Sequence, residues 1–107
     1  MGTKALGILI GSAIILASNY AGARQAAGNT AAGKDFAERS CSSCHAVDTT
    51  AQTRTDATPS FTTLANKRSV GSLTGWLMEP HPPMPTLSLT VSQIRDVVAY
   101  ITSLRAR

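Results

Sequence analysis

Cys41-Ser42-Ser43-Cys44-His45 constrains this chain more than any other stretch. Two thiols stand three residues apart and an imidazole follows directly, the spacing that attaches a c-type haem. On a helical turn residues i and i+3 share one face, so both thiols can reach the two vinyl groups on one edge of a porphyrin. His45 can then turn under the ring and bind the iron, while two thioether bonds hold the group covalently. Cys41 and Cys44 are the only cysteines. A single disulfide or a thioredoxin-like redox pair would leave His45 without a purpose, and no alternation of strand and helix accompanies the motif. A structural zinc site wants four ligands, and beyond these three the chain offers only His81 and a few carboxylates.

The N-terminus bears on where such chemistry would take place. Lys4 supplies a positive charge, Ala5 to Ala17 is an uncharged and largely apolar run, and Ala21-Gly22-Ala23 has the A-x-A form of a cleavage site. These are the three parts of a secretory signal peptide. The apolar run of 13 residues falls short of the roughly 20 that a spanning helix needs. The expectation is a signal peptide over 1–23 and export to the periplasm. Membrane contact is expected only if that segment stays uncleaved as an anchor.

Without residues 1–23 the chain has 84 residues, one small domain with a meagre core. A covalently held haem would staple it, since the apolar faces of the porphyrin replace missing hydrophobic side chains. The full chain carries +4, and losing Lys4 leaves nine basic against six acidic side chains, or +3. No dense Lys/Arg run and no nucleic-acid motif is present, so nucleic acid is not an expected partner. The charge suits either ordinary solubility or a modest basic rim that docks an acidic redox protein.

Residues 24–32 are small and polar without periodicity and read as a flexible leader, with the domain proper over 33–107. From Gly33 the spacing of Phe36, Ala37, Ser40 and Cys44 predicts a helix over about Lys34 to Ser43. This helix, with Gly33 and the aromatic Phe36 ahead of Cys41 to His45, resembles the first helix of the small class I c-type cytochromes. The resemblance extends over roughly residues 33–104. It implies an all-α, cytochrome c-like fold of about four short helices wrapped around one covalent haem c, and a one-electron carrier rather than an enzyme. It also implies electron transfer through the haem edge near the thioethers. In cytochrome c′-like four-helix proteins, by contrast, the attachment motif lies near the C-terminus.

Residues 46–58 are polar and aperiodic and read as a loop. Thr58-Pro59-Ser60-Phe61 follows. In similar cytochromes a Gly-Pro stands here, and the proline carbonyl accepts a hydrogen bond from the free nitrogen of the proximal histidine. The resemblance thus gives Pro59 that role for His45, with Thr58 in place of the glycine. A plain turn proline is the alternative. Phe61, Leu64 and Ala65 predict a short helix ending near Lys67-Arg68, and a second is expected over Val70 to Met78 with Leu73, Trp76 and Leu77 inward. Trp76 is either ordinary core or, by resemblance, a donor to a haem propionate. Arg68 could pair with a propionate as well.

Glu79-Pro80-His81-Pro82-Pro83-Met84-Pro85-Thr86 holds four prolines, which fix φ and remove backbone donors. A stiff loop results, suited to presenting a weak iron ligand at little entropic cost. Met78, His81 and Met84 could compete for the iron, but three extended residues cover about 10 Å, so only one of them can sit over it without a large loop rearrangement. The resemblance favours Met84, because Met84-Pro85 leading through Leu87 and Leu89-Thr90 into the last helix matches the family. His81 comes second, and Met78 is expected to fill a gap in the core. A thioether ligand raises the potential relative to a second imidazole. His45/Met84 ligation would leave no open position for oxygen or peroxide.

Thr90 and Gln93 form a capping-box pair. Val91, Ile94, Val97, Val98, Ile101 and Leu104 then make an apolar stripe in steps of three and four. By resemblance this last helix crosses the first, with Tyr100 or Val97 against Gly33 and Phe36. Arg105 and Arg107 are expected to complement its C-terminal dipole. The overall expectation is a periplasmic electron carrier, a monomer or the haem subunit of a larger dehydrogenase, acting on periplasmic redox proteins. A haem sensor or small peroxidase with an open sixth position is the other alternative.

Overall fold

The computed structural model describes Gly2 and residues 27–50, 58–79 and 82–107. The expected signal segment, most of the polar loop before Thr58, and Pro80 and His81 lie outside the described residues. Within them the fold is all-α: α1 is Thr30–Ser40, α2 Phe61–Lys67, α3 Val70–Met78 and α4 Val91–Ser103.

Each helix begins where a side chain takes up an orphan backbone donor. Asn29 Oδ1 accepts from Ala32 N at 3.0 Å, Ser60 Oγ from Thr63 N at 3.1 Å, and Ser69 Oγ from Ser72 N at 3.1 Å. At α4 the capping box is complete. Thr90 Oγ1 accepts from Gln93 N at 3.2 Å, and Gln93 Oε1 accepts from Thr90 N at 2.9 Å.

The first helix starts four residues before the expected Lys34, so residues 30–32 belong to its first turn and not to a flexible leader. The cause lies at the other end of the chain. Asn29 N donates to Asp96 Oδ1 of α4 at 2.6 Å, and Gly28 adopts φ 76° against the Arg95 carbonyl. Only glycine takes that conformation without strain. The same helix ends earlier than expected, at Ser40, with Cys41 as its C-cap.

All three other helices pack on α4. Its Ile94, Val97, Val98, Tyr100 and Ile101 are buried together with Ala37, Cys41, Val47, Phe61, Ala65 and Leu73. The crossing with α1 is close because residue 33 has no side chain. A Cβ there would run into the Asp96 carbonyl and meet Tyr100 Cβ at 3.0 Å. Phe36 packs on this core from the partly buried rim.

Three other expectations are corrected. Trp76 is half exposed and does not belong to the core, while Leu73 is buried and Leu77 partly so. Met78 fills no core gap, since at the last residue of α3 it is 64% exposed. Arg105 turns away from its own helix. It donates from Nε to Ala65 O at 2.8 Å and from Nη2 to Arg68 O at 2.9 Å, so the carbonyls it satisfies lie at the end of α2.

Candidate functional site

The two cysteines and the histidine sit on a turn that continues from α1 without being helix. Cys41 N and Ser42 N both donate to Ala37 O, at 2.8 and 3.1 Å, closing the helix end. Cys44 N and His45 N then donate to Cys41 O at 3.2 and 2.9 Å. This brings Cys41, Cys44 and His45 around one tight turn. Cys41 is buried and Cys44 exposed.

His45 is held from two sides. Its Nδ1 lies 2.7 Å from Pro59 O. A carbonyl can only accept, so Nδ1 bears the hydrogen and Nε2 is the nitrogen with a lone pair to give. The Phe61 ring lies 5.5 Å from the imidazole and 6.2 Å from Tyr100, tilted against both. Phe61 N donates to Ala46 O at 2.9 Å, fastening the segment after His45 to the start of α2.

Tyr100 secures the far side of this stack. Its hydroxyl, buried, donates to Val47 O at 2.6 Å. Burial first, and then the charges of Asp48 and Glu38, raise its pKa above the ordinary tyrosine value. Sequence reading puts Phe61 on a short helix by its spacing, and the resemblance sets Tyr100 or Val97 against Gly33 and Phe36. Neither shows that Phe61 and Tyr100 form one aromatic column behind His45, for which the only signal was that both lie on helices adjoining the motif.

A groove between the end of α3 and the following loop is lined by Trp76, Met78, Met84, Pro85 and Leu89. Met84, expected at the sixth coordination position, is half-buried there. Over the Trp76 ring lies the Arg68 guanidinium, its Cζ 4.9 Å from the centroid, a cation–π contact. The two expected neighbours of a propionate are thus in contact with each other.

This donor set suits an iron porphyrin better than a bare ion. Among the described residues no group of three or more His, Cys, Asp or Glu side chains converges on a point. What the site offers instead is two thiols on one turn, one imidazole with its second nitrogen engaged, and a groove of apolar and thioether side chains.

The comparisons agree with this chemistry. The family model described as Cytochrome c matches residues 30–105. The chain is similar to "Cytochrome c-552" of Bradyrhizobium diazoefficiens, with 34% identity over 99 residues that span 91% of this chain and 95% of that protein. No solved structure matches the chain.

Proposed function

The chain belongs to the cytochrome c family and carries covalent haem c, and from that premise we propose that it is a periplasmic one-electron carrier with His45 and Met84 as axial ligands. Haem c, when bound, supplies an iron that cycles between two oxidation states. Everything else falls to the chain's own residues.

Cys41 and Cys44 hold the group through thioethers. His45 gives Nε2, and Pro59 fixes the ring: a carbonyl at 2.7 Å from Nδ1 sets the tautomer, stops rotation, and makes Nε2 a better donor. That contact is the observation that carries the reading, because it commits Nδ1 to the carbonyl and leaves the Nε2 lone pair for the iron. Met84 supplies a soft donor from a proline-stiffened loop, which favours the reduced state. Phe61 and the α4 core exclude water on the proximal side, and Trp76 and the groove-lining residues do so on the other. With both axial positions filled, the protein moves electrons and breaks no bonds.

Export is supported by the three-part pattern of residues 1–23. Among the described residues no helix is long and apolar enough to cross a membrane. The two haem propionates bring the +3 of the chain without residues 1–23 close to neutral, so net charge does not select the redox partner. The test is an absorption spectrum of protein purified from the periplasmic fraction, oxidised and reduced, with and without carbon monoxide. A low-spin spectrum unchanged by carbon monoxide supports the carrier. Carbon monoxide binding to the reduced protein without denaturation would instead mean an open sixth position and a sensor or peroxidase.

A further inference from the structure

The C-terminal tail makes a contact that its own helix does not require. An arginine just past a helix ordinarily serves the last carbonyls of that helix. Arg105 instead spans back to α2, bonding Ala65 O at 2.8 Å and Arg68 O at 2.9 Å. Beside it Ala106 N donates to Asn66 Oδ1 at 3.0 Å, and Asn66 Nδ2 donates to Thr62 O at 2.8 Å. The end of α2 is therefore fastened from outside by the tail.

Arg68 is one of the residues so fastened. Its N–H donates to Leu64 O at 2.9 Å and its carbonyl accepts from Arg105, so both backbone polar groups are tied. Its side chain leaves from a fixed point and places the guanidinium on Trp76, which lines the same groove as Met84.

We propose that Arg105 is a positioning residue for electron transfer: through the Arg68 carbonyl it holds the Arg68 guanidinium and the Trp76 ring on the Met84 side of the haem, and so helps set the reduction potential. The proposal rests on the carrier reading above. Reduction adds one negative charge, and a cation held close by favours that state. The same cation swinging in solvent is screened. Loosening Arg68 therefore lowers the potential.

The test uses the haem-loaded protein with Arg105→Gln and Arg105→Lys, each made alone and in an Arg68→Gln background. Three quantities are read: the midpoint potential, the nuclear magnetic resonance signal of the indole N–H of the sole tryptophan, and the thermal midpoint. Arg105→Gln is expected to lower the potential and move the indole signal, and Arg105→Lys, which keeps one of the two bonds, to do so by less. In the Arg68→Gln background the change at residue 105 should still lower the thermal midpoint but leave the potential where it is. An unchanged potential in Arg105→Gln, or an equal shift in both backgrounds, overturns the proposal. Arg105→Lys alone decides it if the glutamine variant does not assemble. The wild-type spectrum is read first, so that loss of the His45/Met84 reading is seen separately from failure of the Arg105 effect.

Discussion

The Pro59 carbonyl stands 2.7 Å from His45 Nδ1, joining the residue that closes the attachment turn to the one that leads into α2, fourteen positions later. The bond is made by backbone on one side, so the proline ring contributes stiffness and not the acceptor itself. Pro59→Ala should accordingly keep the visible spectrum of the haem-loaded protein and lose only about 0.5–1 kcal/mol of stability, from the greater freedom of the unfolded chain. Denaturant titration alongside the spectrum checks both halves.

Gly33 lets α1 and α4 touch. A methyl group at this position meets the Asp96 carbonyl, which is fixed in helix and cannot swing away. Gly33→Ala should therefore cost about 1–3 kcal/mol, as overpacking does in a close-packed core. Its higher helix propensity recovers only part of that. A substitution as neutral as at an exposed α1 position, such as Ala31, would contradict the packing described.

Tyr100→Phe removes the bond to Val47 O and leaves that carbonyl unpaired in a buried place, a loss of about 1–3 kcal/mol. A pH signature accompanies it. The folded-state pKa of Tyr100 is raised above its ordinary 10.0, so the folded protein binds this proton more tightly than the unfolded chain. Its contribution is whole below pH 10.0 and declines as the pH climbs towards the raised value. In urea titrations across that range the wild type should lose stability more steeply than Tyr100→Phe.

Thr62 Oγ1 is buried and has no hydrogen-bond partner among the described residues. Replacing it by the isosteric methyl in Thr62→Val removes a desolvated hydroxyl that gains nothing. The variant should match the wild type or exceed its stability by up to about 1 kcal/mol. A clear loss would mean that the hydroxyl serves a group bound in the site.

Much of the fold is readable in the sequence where local signals are sufficient. The Thr90/Gln93 capping box and the apolar stripe after it mark α4, and Val70 to Met78 are the bounds of α3. The start of α1 was not readable, because Gly28 and Asn29 take their conformation and bonds from Arg95 and Asp96, far along the chain. The rule of helix dipoles is local and points Arg105 to its own helix, whereas its partners are 37 and 40 residues away. At the site, CxxCH spacing points to Cys41, Cys44 and His45; the resemblance gives the Pro59 contact with His45, which is present, and Met84 as the proposed sixth ligand. The aromatic column of Phe61 and Tyr100 behind His45 depends on how three segments meet, which periodicity does not encode. Trp76 read as inward by spacing, yet it lies half exposed beneath Arg68.

The axial pair His45/Met84 is the central claim, and a far-red absorption spectrum of the oxidised holoprotein tests it most directly. Because Met78 lines the same groove as Met84, the comparison needs Met84→Ala and Met78→Ala together. The account predicts a weak far-red charge-transfer band in the wild type that survives Met78→Ala and disappears in Met84→Ala. A low-spin spectrum lacking the band, and unaffected by Met84→Ala, would contradict it and point to His81.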